Sequence, residues 1–311
     1  MPKTALSGPL SNIDVRLLRI FRAIVEAGGL SAAEIELNIG RSTISRHLGD
    51  LETRLGVRLC QRGRAGFSLT DEGRIVYDAT LRLLAAMDEF SGSVNEVHHQ
   101  MRGQLNLALH DKIITNPECQ IDRAIRDFDA VAPDVTIDIY VEPLNEIEKS
   151  VIEGRIHIGI VPIHRPSSSF KYQALFREPM HLFCGAHHPL FSRPEISDGD
   201  IIRQKYAGLG YHSPNMIVGR QLNMTRKATG YDQEAIALMI LSGRYVGYLP
   251  DHYARQFIDD GSMKMIGAKK FQYVCEFSAI SRQSPKPSLL VQTFLEALID
   301  AHADQPVSSP D

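Results

Sequence analysis

The sequence predicts a multidomain chain: an all-α head that closes on a hairpin, a long linker helix, and an α/β body of two lobes. Three observations carry this. The first 70 residues hold three runs of helical periodicity and then two short strand-like runs around a turn. From Asp71 to Met101 there is no proline, and apolar residues recur at steps of four and three. After Met101 the period changes to strands alternating with helices. A length of 311 residues calls for two or three domains.

Composition is that of a globular chain, with 43% hydrophobic and 23% charged residues. No apolar run is long enough to span a bilayer. The first 30 residues carry charges throughout and no signal core, so the chain reads as cytoplasmic, without a membrane partner. Cys60, Cys119, Cys184 and Cys275 are far apart. That spacing suits reduced thiols and gives neither a disulfide framework nor a zinc cage. Residues 1–70 hold ten Lys/Arg against six Asp/Glu, a surplus of four, so a net −3 chain carries −7 in the remainder. A basic head on an acidic body suits a polyanion at the head.

In the first helix Ile13, Leu17, Ile20, Phe21 and Ile24 share a stripe, with Ser11 or Asn12 able to cap it and Gly28-Gly29 to end it. Ser31 and Glu34 have capping-box spacing for a second helix, and Asn38-Ile39-Gly40 makes a turn. In the third helix Ile44, Leu48, Leu51 and Leu55 face inward. At about 100° per residue, Ser42, Arg46, Gly49 and Thr53 face the opposite way. That face is small and open enough to enter a major groove. Gly56 stops the helix. Val57–Arg62 and Ala65–Leu69 form two strands around the Gly63–Gly66 turn, a wing that carries Arg62 and Arg64. The head is thus an all-α winged helix-turn-helix pattern.

Ala32-Ala33, Ser45-Arg46, Asp50-Leu51-Glu52, Leu55-Gly56, Arg62, and Leu69-Thr70 followed by Gly73 stand ungapped over some forty residues. This arrangement resembles the signature of LysR-type transcriptional regulators. The resemblance implies that the third helix reads DNA, with Arg41, Ser42, Thr43, Ser45, Arg46 and His47 at its leading end and Arg62 and Arg64 on the backbone. The chain departs from the family at Gly40-Arg41-Ser42 and at Cys60, which stands where a Phe is usual. Cys60 reads as a small buried hydrophobe.

In the linker, Val76, Thr80, Leu83, Met87, Phe90, Val94, Val97 and Met101 form a heptad seam with one polar member. A second copy of the helix would bury it, and the resemblance implies a dimerising linker here too. His98-His99 point apart on a helix and read as solvated.

In the body, Leu105, Leu107 and Leu109 read as a strand, Ile121, Ile125 and Phe128 as a helix, and Val135 to Val141 as a second strand. Leu144, Ile147 and Val151 form a helix stopped by Gly154, and Ile156, Ile158 and Ile160 a third strand. This βαβ pattern predicts a parallel sheet, which binds ligands beyond the carboxyl ends of its strands. A first crossing near Ser167–Ser169 leads to a second lobe holding Met180–Cys184, Gly208–Tyr211, a helix near Asp232–Ser242 and Tyr245–Leu249. Phe277–Ser281 crosses back, and a last helix holds Leu290, Phe294 and Leu298. The boundaries are therefore 1–70 for the head, 71–101 for the linker helix, 102–302 for the body and 303–311 for a disordered tail. Lobe I takes about 102–170 and 277–302, and lobe II about 171–276.

A two-lobed body after a linker helix resembles the periplasmic-binding-protein-like effector domain of the same family. The resemblance implies a small-molecule effector between the lobes. The matching places hold His110, Asp111, Thr115 and Asn116; Glu142; His164 and Arg165; and Tyr211, His212 and Ser213. Arg165 and the histidines suit a small anion, whereas Asp111 and Glu142 suit an amine or hydroxyls. The effector's identity is not written in these residues. No G-x-G-x-x-G, P-loop, G-x-S-x-G or H-E-x-x-H occurs, so no catalytic residue, metal or cofactor is assigned. His187-His188-Pro189 reads as a turn. A binding protein without DNA function would leave the basic helix and wing unexplained. The expected partners are double-stranded DNA carrying an interrupted inverted repeat, the effector, RNA polymerase, and further copies of the chain as a homodimer or homotetramer.

Overall fold

The computed structural model describes residues 9–63, 66–97, 101–211, 213–267, 269–284 and 286–303. Of the residues singled out above, Arg64, Ala65, His98, His99, His212 and 304–311 lie outside that set, as do the side chains of Arg62 and Val97. The chain divides into two compact units between Phe90 and Ser91, inside the linker helix.

In the first unit, α1 (Asn12–Glu26) is capped by Ser11. The Ser11 hydroxyl accepts from the Asp14 N–H at 3.4 Å, and the Asp14 carboxylate takes the Ser11 N–H at 2.7 Å. Asp14 is buried, and Arg54 donates to it from the third helix at 2.7 Å. These bonds to the charged form, the Ser11 N–H first, hold the Asp14 carboxyl below its ordinary value. Leu17, Ile20, Phe21 and Ile24 are buried as their spacing predicts, but Ile13 is 69% exposed, so the buried stripe starts one turn later.

Helix α2 (Leu30–Leu37) is not opened by the expected Ser31–Glu34 capping box: its N-cap is Gly29, with φ 148°, two residues too early for that box. Glu34 instead accepts the Arg41 N–H at 2.5 Å and so caps α3 (Arg41–Leu55), whose own N-cap, Gly40, has no side chain to do it. Ile44, Leu48 and Leu51 are buried and Leu55 half-buried. Gly56 ends α3 in the left-handed region, φ 71°, where glycine carries no Cβ penalty.

The wing strands, β1 (Cys60–Gly63) and β2 (Gly66–Leu69), pair antiparallel from Cys60 opposite Leu69. Strand β1 starts three residues later than the expected Val57, because the Leu59 N–H goes to Glu52 Oε1 at 2.8 Å rather than into the ladder. Helix α4 (Asp71–Val97) follows. The Thr70 hydroxyl accepts the Gly73 N–H at 2.8 Å and donates to the Arg58 carbonyl at 2.7 Å. A Cβ on Gly73 would lie 1.9 Å from the Leu59 carbonyl oxygen. The Leu-Thr-x-x-Gly motif is therefore a cap followed by a contact that leaves room for no side chain.

The seam divides. Thr80 is buried, and Val76 and Leu83 pack against the head core, so its first half serves the head itself. Met87 is half-buried, while Phe90 at 71% and Val94 at 43% stay exposed. Met101 is not on the helix; it packs against the core of the body.

In the second unit, β3 (Gly103–Leu109), α5 (Ile121–Val131), β4 (Val135–Val141), α6 (Leu144–Glu153) and β5 (Ile158–Pro162) form the predicted parallel β4-β3-β5 sheet. Strand β6 (Phe170–Gly185) runs 16 residues, far beyond the predicted Met180–Cys184. Lobe II adds α7 (Asp198–Ile202), β7 (Tyr206–Leu209), α8 (Pro214–Gln221), β8 (Arg226–Gly230), α9 (Gln233–Leu241) and β9 (Val246–Pro250). Then come α10 (Asp251–Asp259), β10 (Met263–Ile266), β11 (Tyr273–Arg282) and α11 (Leu289–Ala303). The sheet order is β4-β3-β5-β11-β6-β9-β7-β8, with β10 also on β6. Strands β6 and β11 are the two crossings. They pair from Phe170–Arg282 to Met180–Tyr273, after which β6 pairs with β9.

The described cysteines form no disulfide, and Cys60, Cys184 and Cys275 are buried. Burial pushes the Cys184 thiol up to about 11 and Cys275 well above its ordinary value. His187 and His188 lie in a turn, where the His188 Nδ1 accepts the Leu190 N–H at 3.2 Å.

Thr70→Ala should lower the unfolding free energy of the head by about 1 kcal/mol in urea denaturation, the usual cost of a lost N-cap. Gly73→Ala should cost more, because backbone must move. The Asp14 contribution is present in full above pH 3.8 and is lost as pH falls through the lowered folded-state value. Asp14→Asn should flatten that acid limb, read from midpoints between pH 2 and pH 5.

Candidate functional site

In the head, α3 presents Arg41, Ser42 and Arg46 exposed, with Thr43, Ser45 and His47 half-buried beside them. The face lies opposite Ile44, Leu48 and Leu51, so the residues that could touch a groove carry none of the core. Thr53 turns back to the Gly49 carbonyl at 2.8 Å, which takes it off the reading end. Arg54, counted in the basic surplus, is held by Asp14.

In the body, β3 and β4 end side by side, since parallel pairing sets Leu109 opposite Val141. Asp111 and Glu142 follow these ends, where parallel sheets bind ligands. They line a cavity of about 280 Å³ with Lys112, Val141 and Pro143 of lobe I and Tyr231, Asp232 and Glu234 of lobe II. The cavity therefore straddles the lobes. Three contacts cross beside it. Lys112 Nζ donates to Glu234 at 3.0 Å, the Gln233 N–H donates to Asp111 Oδ2 at 2.7 Å, and Lys112 lies 5.3 Å over the Tyr253 ring. The Glu234 bond raises the Lys112 pKa.

Other expected effector residues have different surroundings. His110 is buried, its Nε2 3.3 Å from Asp111 and 3.5 Å from the Tyr211 hydroxyl. Burial keeps the Tyr211 phenol protonated. Asn116 is committed to structure: it donates to the Arg177 carbonyl and accepts the Glu118 N–H, both at 2.9 Å. Ser213 caps α8. Arg165 is 60% exposed, meets Glu148 at 3.5 Å and does not line the cavity; His164 is half-buried.

Thr115 belongs to a chain that sequence reasoning missed. Its hydroxyl lies 2.7 Å from His252 Nδ1, and His252 Nε2 lies 2.9 Å from Glu178 Oε1. The His252 and Glu178 side chains are 5% and 3% exposed. Glu178 fixes the ring and the ring fixes the threonine, linking lobe I, the β6 crossing and lobe II. Asp232 and Glu234 were also missed, although the Asp232 N-cap of α9 is a sequence signal. Among the described residues no group of three or more His, Cys, Asp or Glu could hold a metal. No described helix is long and apolar enough to cross a membrane.

A helical reading head and a two-lobed body with a cavity between its lobes define a ligand-responsive DNA-binding regulator. The comparisons agree. The family described as bacterial regulatory helix-turn-helix protein, lysR family, matches residues 15–74, and the LysR substrate binding domain matches 98–303. The chain is 41% identical to the HTH-type transcriptional activator BauR of Pseudomonas aeruginosa over 94% of its own length and 96% of that protein's. It is 29% identical over 198 residues to a probable HTH-type transcriptional regulator, LrrA, of Synechococcus elongatus, 63% of this chain and 66% of that one. Full-length CbnR in complex with its target DNA shares the fold at a TM-score of 0.62 and 19% identity, covering 92% of this chain and 99% of that one. This chain belongs to the LysR family of transcriptional regulators. It is a DNA-binding regulator, not an enzyme, and its substrate-binding domain takes a small-molecule effector.

Glu178→Ala and His252→Ala should each destabilise the body by about 1–3 kcal/mol, because each leaves a buried partner unpaired. The double variant should cost less than the sum, as read by chemical denaturation.

Proposed function

We propose that the chain acts as a homodimer, or a homotetramer, on an interrupted inverted repeat, and that effector binding in the inter-lobe cavity changes the access of RNA polymerase to the promoter. The observation that carries this reading is the open Arg41, Ser42 and Arg46 face of α3, free of any core role. Arg46 has the reach for a base edge or a phosphate, and the half-buried Thr43, Ser45 and His47 supply shorter contacts. The relative named as an activator, at 41% identity, favours activation over repression. The reading places the protein in the cytoplasm, needs no cofactor, and takes the cavity lining as the effector contact.

Self-association is supported by Phe90 and Val94, two large apolar side chains left exposed on the seam of α4. A second surface exists at the sheet edge, where β4 exposes Ile139. Effector binding acts on transcription only through a difference in affinity between two arrangements of the protein.

The test is a footprint of the full chain on the DNA flanking its own gene, at physiological salt with excess competitor. A protected, near-palindromic site is expected, and no site on any flanking fragment, with folded protein shown, counts against the reading. Arg46→Ala should weaken binding to that site by about 1–3 kcal/mol, measured by gel shift, with the fold retained. Phe90→Asp with Val94→Asp should lower the mass seen by analytical ultracentrifugation.

A further inference from the structure

We propose that the effector carries a protonated amine that binds against Glu142 in the inter-lobe cavity, an inference that rests on that cavity being the effector site. The lining supplies four carboxylates, Asp111, Glu142, Asp232 and Glu234, against one ammonium, Lys112. That ammonium is committed to Glu234 at 3.0 Å. Asp111 Oδ2 is occupied by the Gln233 N–H, and Asp232 Oδ1 by the Ala235 N–H at 2.6 Å. Glu142 is different. Its Oε2 is closed off from solvent and has no hydrogen-bond partner.

A second acceptor, beside the cavity but not on its lining, is also buried without a partner. Gln233 stands between the lining residues Asp232 and Glu234, its side chain is 3% exposed, and its Oε1 has no donor. Both atoms are acceptors, and taking a carboxylate oxygen out of water without a donor is unfavourable. What the cavity lacks is donors and positive charge.

An ammonium brings three N–H donors and one positive charge; a carboxylate or phosphate brings acceptors and the wrong sign. A hydroxyl brings one donor and no charge. Arg165, the cation that would favour an anion, is turned to Glu148 and is absent from the lining. Tyr231 adds an exposed aromatic ring to the lining, a surface that attracts cations. A volume of about 280 Å³ suits a small molecule rather than a peptide.

Titration calorimetry of the full-length chain with n-butylammonium, butyrate and butanol, equal in carbon count, tests this. Butylammonium alone should bind, Glu142→Gln should weaken it by about tenfold or more, and Arg165→Ala should leave it unchanged. Thermal melts check that the variants are folded. Binding of butyrate or butanol in preference, altered by Glu142→Gln or Tyr231→Ala, overturns the amine and leaves the cavity as the site. Binding of any probe that neither variant alters overturns the cavity as the site. No heat with butylammonium overturns the proposal.

Discussion

The body depends on one pairing, that of β6 with β11. These strands are the two passages between the lobes, and they are bonded to each other from Phe170–Arg282 to Met180–Tyr273. Lobe I reaches the pair through β5 on β11, and lobe II through β9 and β10 on β6. The one irregularity in their register falls between Phe277 and Ser278, where the ladder leaves lobe II for lobe I. A bulge adds local twist to an otherwise continuous ladder. The cavity, the Lys112–Glu234 bridge and the Thr115–His252–Glu178 chain all keep their geometry because this pair fixes how the lobes face each other.

The head is held by a different device, polar groups that finish one element with the side chain of another. Asp14 ties α1 to α3 through Arg54, Glu34 of α2 caps α3, Glu52 of α3 takes the amide entering the wing, and Thr70 joins the wing to α4. A small core cannot align five elements by apolar packing alone, which has no direction. Hydrogen bonds to backbone groups do have direction. Several head charges are therefore structural, and the groove-facing charge is concentrated on a few arginines.

The head was the most legible part of the sequence because its signals are local. A glycine after a stripe or a Thr-x-x-Gly run marks a boundary whatever the rest of the chain does. The error there was Glu34: Ser31 and Glu34 have box spacing, but Gly29 begins the helix first and frees the carboxylate for α3. In the body, the βαβ half was readable from its periods, while β6 was not, since Arg177, Glu178 and Pro179 interrupt its apolar pattern midway. Asp111 and Glu142 could be placed because strand ends are predictable. Their partners could not. Whether Arg165 reaches the cleft or Glu148, and which residues of lobe II meet lobe I, depends on pairings more than a hundred residues apart. Asn116 and Ser213 show the converse, since polar residues in the right loops were needed to satisfy the backbone.

The burial of the cysteines bears on how the protein meets oxidants. The reactive form of a cysteine is its thiolate. With Cys184 pushed up to about 11 and Cys275 held well above its ordinary value by burial, both are almost wholly protonated at neutral pH and shielded by the core. Peroxide or an alkylating reagent meets these sulfurs only when the surrounding strands separate. Their labelling rate is thus a clock for spontaneous opening of the body, one that runs without added denaturant and that slows when a bound molecule stabilises the folded form.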